Sequence, residues 1–249
     1  MTQRLFLAGA SGVIGRHLIP LLLADGWAVT GTTRLADKAA RLAALGVAPA
    51  IVDVFDAAAL RDAVGAARPD VVVHQLTDLP PGLEPARMSE ARSRNARIRD
   101  EGTRNLIAAS LAAGVKRLVA QSVAFAYAAG PTPYGEEDPL DLGAHEAPNI
   151  SGRGVASLEK QVLAAPLEGL VLRYGSFYGP GTGFETTTRP GPLHIEDAAE
   201  AARLAVRQGP RGIYNIAEDD GTVAIDKAKR LLGWRPAHGA HKGVPGGKG

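Results

Sequence analysis

Ala8-Gly9-Ala10-Ser11-Gly12-Val13-Ile14-Gly15 follows an apolar run and opens a stretch of helical periodicity. Glycines at this spacing meet separate physical needs. They allow a sharp turn, let backbone approach a pyrophosphate with no Cβ in the way, and pack a helix tightly on its strand. The helix N-terminus behind them offers unpaired N–H groups and partial positive charge to phosphate oxygens. The expected ligand is a dinucleotide, held by Gly9, Ser11, Gly12, Val13, Ile14 and Gly15.

The end of the second apolar run bears on which dinucleotide. An acid there would bond the adenosine ribose and repel a 2′-phosphate. The chain reads Thr30-Gly31-Thr32-Thr33-Arg34, without an acid. Thr33 and Arg34 are expected at the cofactor, and the Arg34 guanidinium suits a 2′-phosphate, with Arg16 in support. NADP is the preferred cofactor and NAD the alternative.

The Gly-x-x-Gly-x-x-Gly spacing resembles that of the extended and atypical short-chain dehydrogenase/reductases, the NAD-dependent epimerase/dehydratase family. Further segments match in family order. Val52-Asp53-Val54 resembles the segment whose acid holds the adenine. Val73-His74-Gln75-Leu76-Thr77 resembles the strand end that runs past the cofactor. The resemblance thus implies cofactor contacts from Asp53, Val54, Gln75, Leu76 and Thr77. Gln121-Ser122-Val123-Ala124-Phe125-Ala126-Tyr127 resembles the strand with the active-site serine, which implies Ser122 beside the nicotinamide. Leu172-Arg173-Tyr174-Gly175-Ser176-Phe177-Tyr178-Gly179-Pro180-Gly181 is similar to the family's Leu-Arg…Tyr-Gly-Pro-Gly run. His194-Ile195-Glu196-Asp197 and Leu232-Gly233-Trp234-Arg235-Pro236 match late segments.

The resemblance also implies a Tyr-x-x-x-Lys pair. Its phenol would act as acid and base; its lysine would lower the phenol pKa and hold the nicotinamide ribose. None of the five tyrosines has lysine four residues on. The segment 151–159 aligns with Tyr-Gly-x-Ser-Lys-x-x-x-Glu and puts Ser151 at the tyrosine and Val155 at the lysine. A valine tunes no pKa and holds no ribose. Ser122, Tyr127 and Ser151 are the remaining catalytic candidates.

Arg87, Arg92, Arg94, Arg97, Arg99 and Arg104 make one helical stretch basic, partly offset by Glu84, Glu90, Asp100 and Glu101. The expectation is a solvated face with i,i+4 ion pairs; the alternative is a patch for an anionic substrate or partner. Arg99 stands where the family often has asparagine. His74 is expected to be packed and hydrogen-bonded. Asp197 is expected to cap the helix after His194. No His-x-x-x-His or Glu-x-x-His spacing supports a metal site, and none is expected.

Strands that alternate with helices must position these residues. Strands are expected over 4–8, 28–32, 50–52, 71–74, 116–121, 170–173 and 213–216. Helices are expected over 12–25 (with Pro20 kinking it), 57–67, 85–113, 155–164 and 197–208. That pattern predicts an α/β fold: a doubly wound parallel sheet, Rossmann-like, with a reduced C-terminal substrate region. Residues 1–173 form the expected core, 174–236 a shortened substrate region interleaved with it, and 237–249 a disordered tail. The loop 128–148 is the expected lid over a shallow pocket. Family analogy places a homodimer interface on the helices near 85–113 and 150–165.

The chain has 249 residues, 45% hydrophobic and 22% charged, which suits a soluble globular protein. Absence of cysteine excludes disulfides and thiolate chemistry. A net charge of +2 gives no argument for nucleic acid or a membrane surface, and the expected location is cytoplasmic. Two functional readings stay open. The preferred one is an oxidoreductase that transfers hydride to or from a small carbonyl, alcohol or sugar nucleotide. The alternative is a non-catalytic dinucleotide-binding redox sensor or regulatory protein, which the missing Tyr and Lys favour.

Overall fold

The structure is a computed structural model that describes residues 2–239 except Glu146. The strands β1 (Arg4–Ala8), β2 (Ala28–Thr33), β3 (Ala48–Ile51), β4 (Val71–His74), β5 (Arg117–Val123) and β6 (Glu168–Tyr174) join a late strand at Gly212–Ile216 in one sheet. Between β6 and that late strand come the short β7 (Ser176–Tyr178) and β8 (Pro192–His194), so the late strand is β9. The sheet order is β3-β2-β1-β4-β5-β6-β9, and every pairing is parallel. The order reverses between β1 and β4, which opens a crevice at their carboxyl ends where α/β sheets bind ligands.

Helices cover both faces because residues of each strand alternate sides. Leu5 and Leu7 face a core that includes α1 (Val13–Ala24), α2 (Ala36–Ala44) and α7 (Ile195–Ala205). Phe6 and Ala8 face a second core with α3 (Ala57–Ala67), α5 (Thr103–Ala112) and α6 (Ile150–Ala164). The helix α4 (Met88–Arg97) packs on α6, and α8 (Asp226–Leu231) follows β9. Burial on both faces is why the strands read as apolar runs instead of alternating ones.

Several expectations need correction. The stretch 85–113 is not one helix. A 3-10 turn at Pro85–Arg87 leads into α4, and a π-turn at Ile98–Gly102 separates α4 from α5. Edge strand β3 starts at Ala48, with Pro49 tolerated where a ladder donor is not needed. The start of the expected substrate region supplies β7 and β8, which were not among the expected strands and pair in a parallel sheet of their own. The helix α2, rich in Ala with few apolar anchors, went unpredicted, as did α8. The helix α7 starts at Ile195, capped by the His194 ring, which accepts from Glu196 N. Asp197 lies inside its first turn instead.

The C-terminal expectation also changes. Ala237 N and His238 N donate to Asp197 Oδ2, at 3.1 and 3.0 Å, so this end docks on α7. Residues 240–249 of the expected tail lie outside the described residues. The loop 128–148 is joined to the C-terminal region through Tyr134. Tyr134 N donates to Thr222 O, and Ala224 N to Tyr134 O. No helix among the described residues is long and apolar enough to cross a membrane.

Candidate active site

The glycine loop has the geometry its sequence implied. Gly9 has φ +92°, and a Cβ there would lie 2.6 Å from Gln75 O. A Cβ on Gly15 would lie 2.4 Å from Ala10 O and 2.6 Å from Gly9 O. Gly12 is the N-cap of α1 with no side-chain cap, and the first turn holds no acid. The first bond into the helix is Arg16 N to Gly12 O, which leaves the N–H groups of Val13, Ile14 and Gly15 aimed out of the helix end. Ser11 is half-buried beside them. A cradle without Cβ atoms, uncapped donors and no competing carboxylate fits a diphosphate.

Thr32 Oγ1 accepts from Gly9 N at 3.0 Å and ties the loop to β2. Thr33 is buried and turns its hydroxyl to Leu35 N. Arg34 is exposed, 3.6 Å from Asp78, whose carboxylate also meets Arg94 at 3.2 Å. Arg16 lies elsewhere, against Gly181. Asp53 accepts from Phe55 N in a tight turn, and Val54 O accepts from Asn105. Gln75 is buried; its amide donates to Tyr174 Oη, and its Oε1 has no partner among the described residues. Leu76 N donates to His74 Nδ1, and Thr77 is exposed. The fold thus gathers Gly9, Thr33, Arg34 and Gln75 to Thr77 along one crevice.

The catalytic candidates are held differently. Ser122 is 1% exposed and donates to Glu159 Oε1 at 2.7 Å, so its hydroxyl faces α6. Glu159 pairs with Arg173 through both oxygens, from Nε at 2.8 Å and Nη2 at 2.7 Å. Arg173 Nη1 donates to Tyr127 Oη at 2.8 Å, and Tyr127 donates to Asn215 Oδ1 at 2.7 Å. Burial raises the Tyr127 pKa, opposed by the Arg173 charge. Arg173 is itself held above the usual guanidinium range: burial works against its charge, and the Glu159 hydrogen bond overcomes it. Ser151 lies in the first turn of α6, half-buried, and shares no hydrogen bond with Ser122 or Tyr127. Val155 is fully buried.

Beyond this network lies a cavity of about 350 Å³, lined by Phe125, Tyr127, Tyr134, Ser176, Arg189 and Thr222. The Tyr127 and Tyr134 rings stack at 5.0 Å, and Phe125 is 66% exposed. Arg189 has no carboxylate partner among the described residues.

Behind the Gly179 turn, His194, Glu196 and His238 bring potential ligand atoms within 4.8 Å of one another. The two imidazoles stack at 3.9 Å with planes 22° apart. Planes so nearly parallel do not meet within the ~2 Å of a metal–nitrogen bond, so their lone pairs do not converge on one ion. Burial and the neighbouring His238 both lower the His194 pKa.

Glu159 and Arg173 entered the sequence reading only as parts of matching segments. Their signal was a lone charge in an apolar setting, Leu-Val-Leu-Arg-Tyr above all, since a buried charge requires a partner. Arg189 and Phe125 gave no such signal, because neither sits in a periodic pattern.

Residues 9–148 match the family described as NAD(P)H-binding. A protein of Streptomyces sp named 3-diazoavenalumate denitrifying reductase is 39% identical over 271 residues, spanning 98% of this chain and 83% of that protein. Among solved structures, UDP-glucose 4-epimerase of Thermotoga maritima with UDP-glucose aligns at TM-score 0.77 and 19% identity, covering 95% of this chain and 94% of that one. WbmG of Bordetella bronchiseptica, in complex with NAD and UDP, aligns at TM-score 0.76 and 19% identity, covering 94% and 89%. At such identities the two structures speak for the shared fold.

Proposed function

The chain belongs to the family of NAD(P)H-binding proteins, and from that premise we propose that it is a reductase that delivers hydride to a small aromatic acid bearing a diazo group. NADPH is the preferred donor. The observation that carries this reading is that the three phenols nearest the ends of β5 and β6 are each engaged in hydrogen bonds within the protein. Tyr127 is locked between Arg173 and Asn215, Tyr174 is buried against Gln75, and Tyr178 is bonded to Glu218. Burial raises the pKa of Tyr174 and, with the Glu218 hydrogen bond, that of Tyr178.

A carbonyl acceptor becomes an alkoxide on hydride addition and needs an acid beside it. An arenediazonium does not. The balance is Ar–N2+ + H− → Ar–H + N2; the C–N bond breaks, hydrogen takes its place on carbon, and the electron pair of the hydride neutralises the cation. The Streptomyces relative is named for a 3-diazo acid and for denitrification, which fits a site built without Tyr-x-x-x-Lys.

When bound, a reduced nicotinamide supplies the hydride. Gly9, Gly12 and Gly15 admit the diphosphate, and the donors of residues 13–15 hold it. Arg34 turns from Asp78 to a 2′-phosphate. Ser122 acts through Glu159 as a positioning residue, fixing the carboxylate that holds Arg173 and hence Tyr127. The stacked Tyr127 and Tyr134 with Phe125 offer flat apolar walls to an aromatic ring, and Arg189 offers a cation to its carboxylate. A homodimer through α4 and α6 belongs to the same proposal.

The test is anaerobic turnover of a carboxylated benzenediazonium with deuterated NADPH, read as N2 released and deuterium on the vacated carbon. Stoichiometric N2 and arene deuteration are expected, with aldehydes and ketones turned over poorly. Carbonyl reduction in place of N2 release overturns the substrate class. Tight nucleotide binding with no turnover favours the non-catalytic alternative. Arg34→Ala is expected to weaken NADPH about tenfold or more and leave NADH unchanged, as loss of a charge-assisted pair to phosphate.

A further inference from the structure

The basic stretch from Arg87 to Arg104 resolves into ion pairs, with Arg99 a half-buried exception. Arg87 meets Glu84, Arg94 meets Glu90 and Asp78, Arg97 meets Glu101, and Arg104 meets Asp100. The exposed Arg92 needs no partner. Arg99 has no hydrogen bond or ion pair among the described residues, although it is half-buried.

Its position is fixed from several sides. It lies in the π-turn Ile98–Gly102, a wide turn of the kind often found at functional sites. One residue on, Asp100 accepts from Ser157 of α6 at 2.6 Å. One turn before, Ala96 touches Gly154 so closely that a Cβ on the glycine would lie 2.9 Å from its Cα. One turn after, Thr103 bonds His74 at the carboxyl end of β4 at 3.1 Å. These neighbours hold Arg99 beside the end of β4 and α6, where its charge acts on His74 and that of Glu159 acts on it. Burial pulls Arg99 below the usual guanidinium range, as expected for a cation short of partners. This position lies at the carboxyl ends of β4 and β5, one strand beyond the glycine loop. Val155 on α6 brings no charge to it.

We propose that Arg99 is a cofactor-binding residue: its guanidinium awaits the ribose hydroxyls of the nicotinamide half of the dinucleotide. A chain of atoms anchored at the glycine loop and laid over β4 toward β5 brings that half, not the adenosine half, above Arg99. A guanidinium carries five donors in a rigid fork, enough to hold two neighbouring hydroxyls. The inference rests on the NAD(P)-binding reading and gives a role to the residue that stands where the family often has asparagine.

The experiment is a set of calorimetric titrations of wild type, Arg99→Lys, Arg99→Gln and Arg99→Ala. Each is titrated with NADPH and with adenosine 2′,5′-bisphosphate, which lacks the nicotinamide half. Arg99→Ala and Arg99→Gln are expected to bind NADPH about 10- to 100-fold more weakly, the range for hydrogen bonds to a charged group. Affinity for the bisphosphate should stay within about twofold, and Arg99→Lys should recover part of the loss. The apo variants should unfold at or above the wild-type temperature, since an unpartnered half-buried charge stabilises nothing. Unchanged NADPH affinity overturns the proposal, as does equal weakening of both ligands. Unchanged NADPH affinity with a raised KM for the aromatic acid would assign Arg99 to the substrate instead. A wild type that binds neither nucleotide would overturn the family-based reading itself, and is thereby told apart.

Discussion

Replacement of Glu159 by glutamine tests how the end of β5 and β6 is held. The carboxylate is nearly buried with Arg173, their side chains 6% and 3% exposed. It accepts two bonds from Arg173 and one from Ser122. Glutamine keeps the volume but removes the charge, and its NH2 must face a donor on Arg173 or Ser122. Arg173 then keeps one amide oxygen, Tyr127 Oη and Glu136 O, all neutral acceptors. Breaking a buried pair from one side costs about 3–5 kcal/mol, a large part of the 5–15 kcal/mol of a typical domain. Urea unfolding followed by fluorescence should show a loss of that size with an unchanged denaturant slope. The companion variant with Glu159→Leu and Arg173→Met removes both charges and should recover most of it. A loss under about 1 kcal/mol for Glu159→Gln would refute the reasoning, because the pair would then contribute no more than an exposed one.

Two further outcomes follow from other parts of the site. Gly15→Ala puts a Cβ against two carbonyl oxygens of the loop, so NADPH affinity should fall roughly 100-fold as backbone donors shift by a fraction of an ångström; equilibrium titration of the folded variant checks it. His74, buried against Thr103, has its pKa lowered from 6.5 to about 4, by burial first and by the Arg99 charge second. The unfolded chain therefore takes up a proton that the native state refuses. Stability from this group is complete above pH about 6.5 and falls by roughly 3 kcal/mol as pH drops toward 4. Urea midpoints across that range, against His74→Asn, should show a shallower acid limb in the variant; parallel limbs would refute the assignment.

The sequence by itself determined the sheet and the phosphate end of the site. Doubly buried strands leave runs such as Val71-Val72-Val73 that need no tertiary context to be read. Gly9 and Gly15 are legible because backbone lies where a Cβ would be. The docked end of the chain was not legible: Ala237 and His238 look like a polar, unstructured exit until Asp197, forty residues away, is seen to accept from them. Short strands β7 and β8 likewise find their ladder partners only in each other, across some fourteen residues of chain. Only the tertiary structure decided which charges are spent and which are free. Arg173, Arg99 and Arg189 are one residue type on the page. Folding gives the first a buried carboxylate, leaves the second half-buried without a partner, and places the third at the rim of an aromatic cavity. Local sequence fixes backbone preference and periodicity, whereas the partner of a charge depends on which distant segment packs beside it.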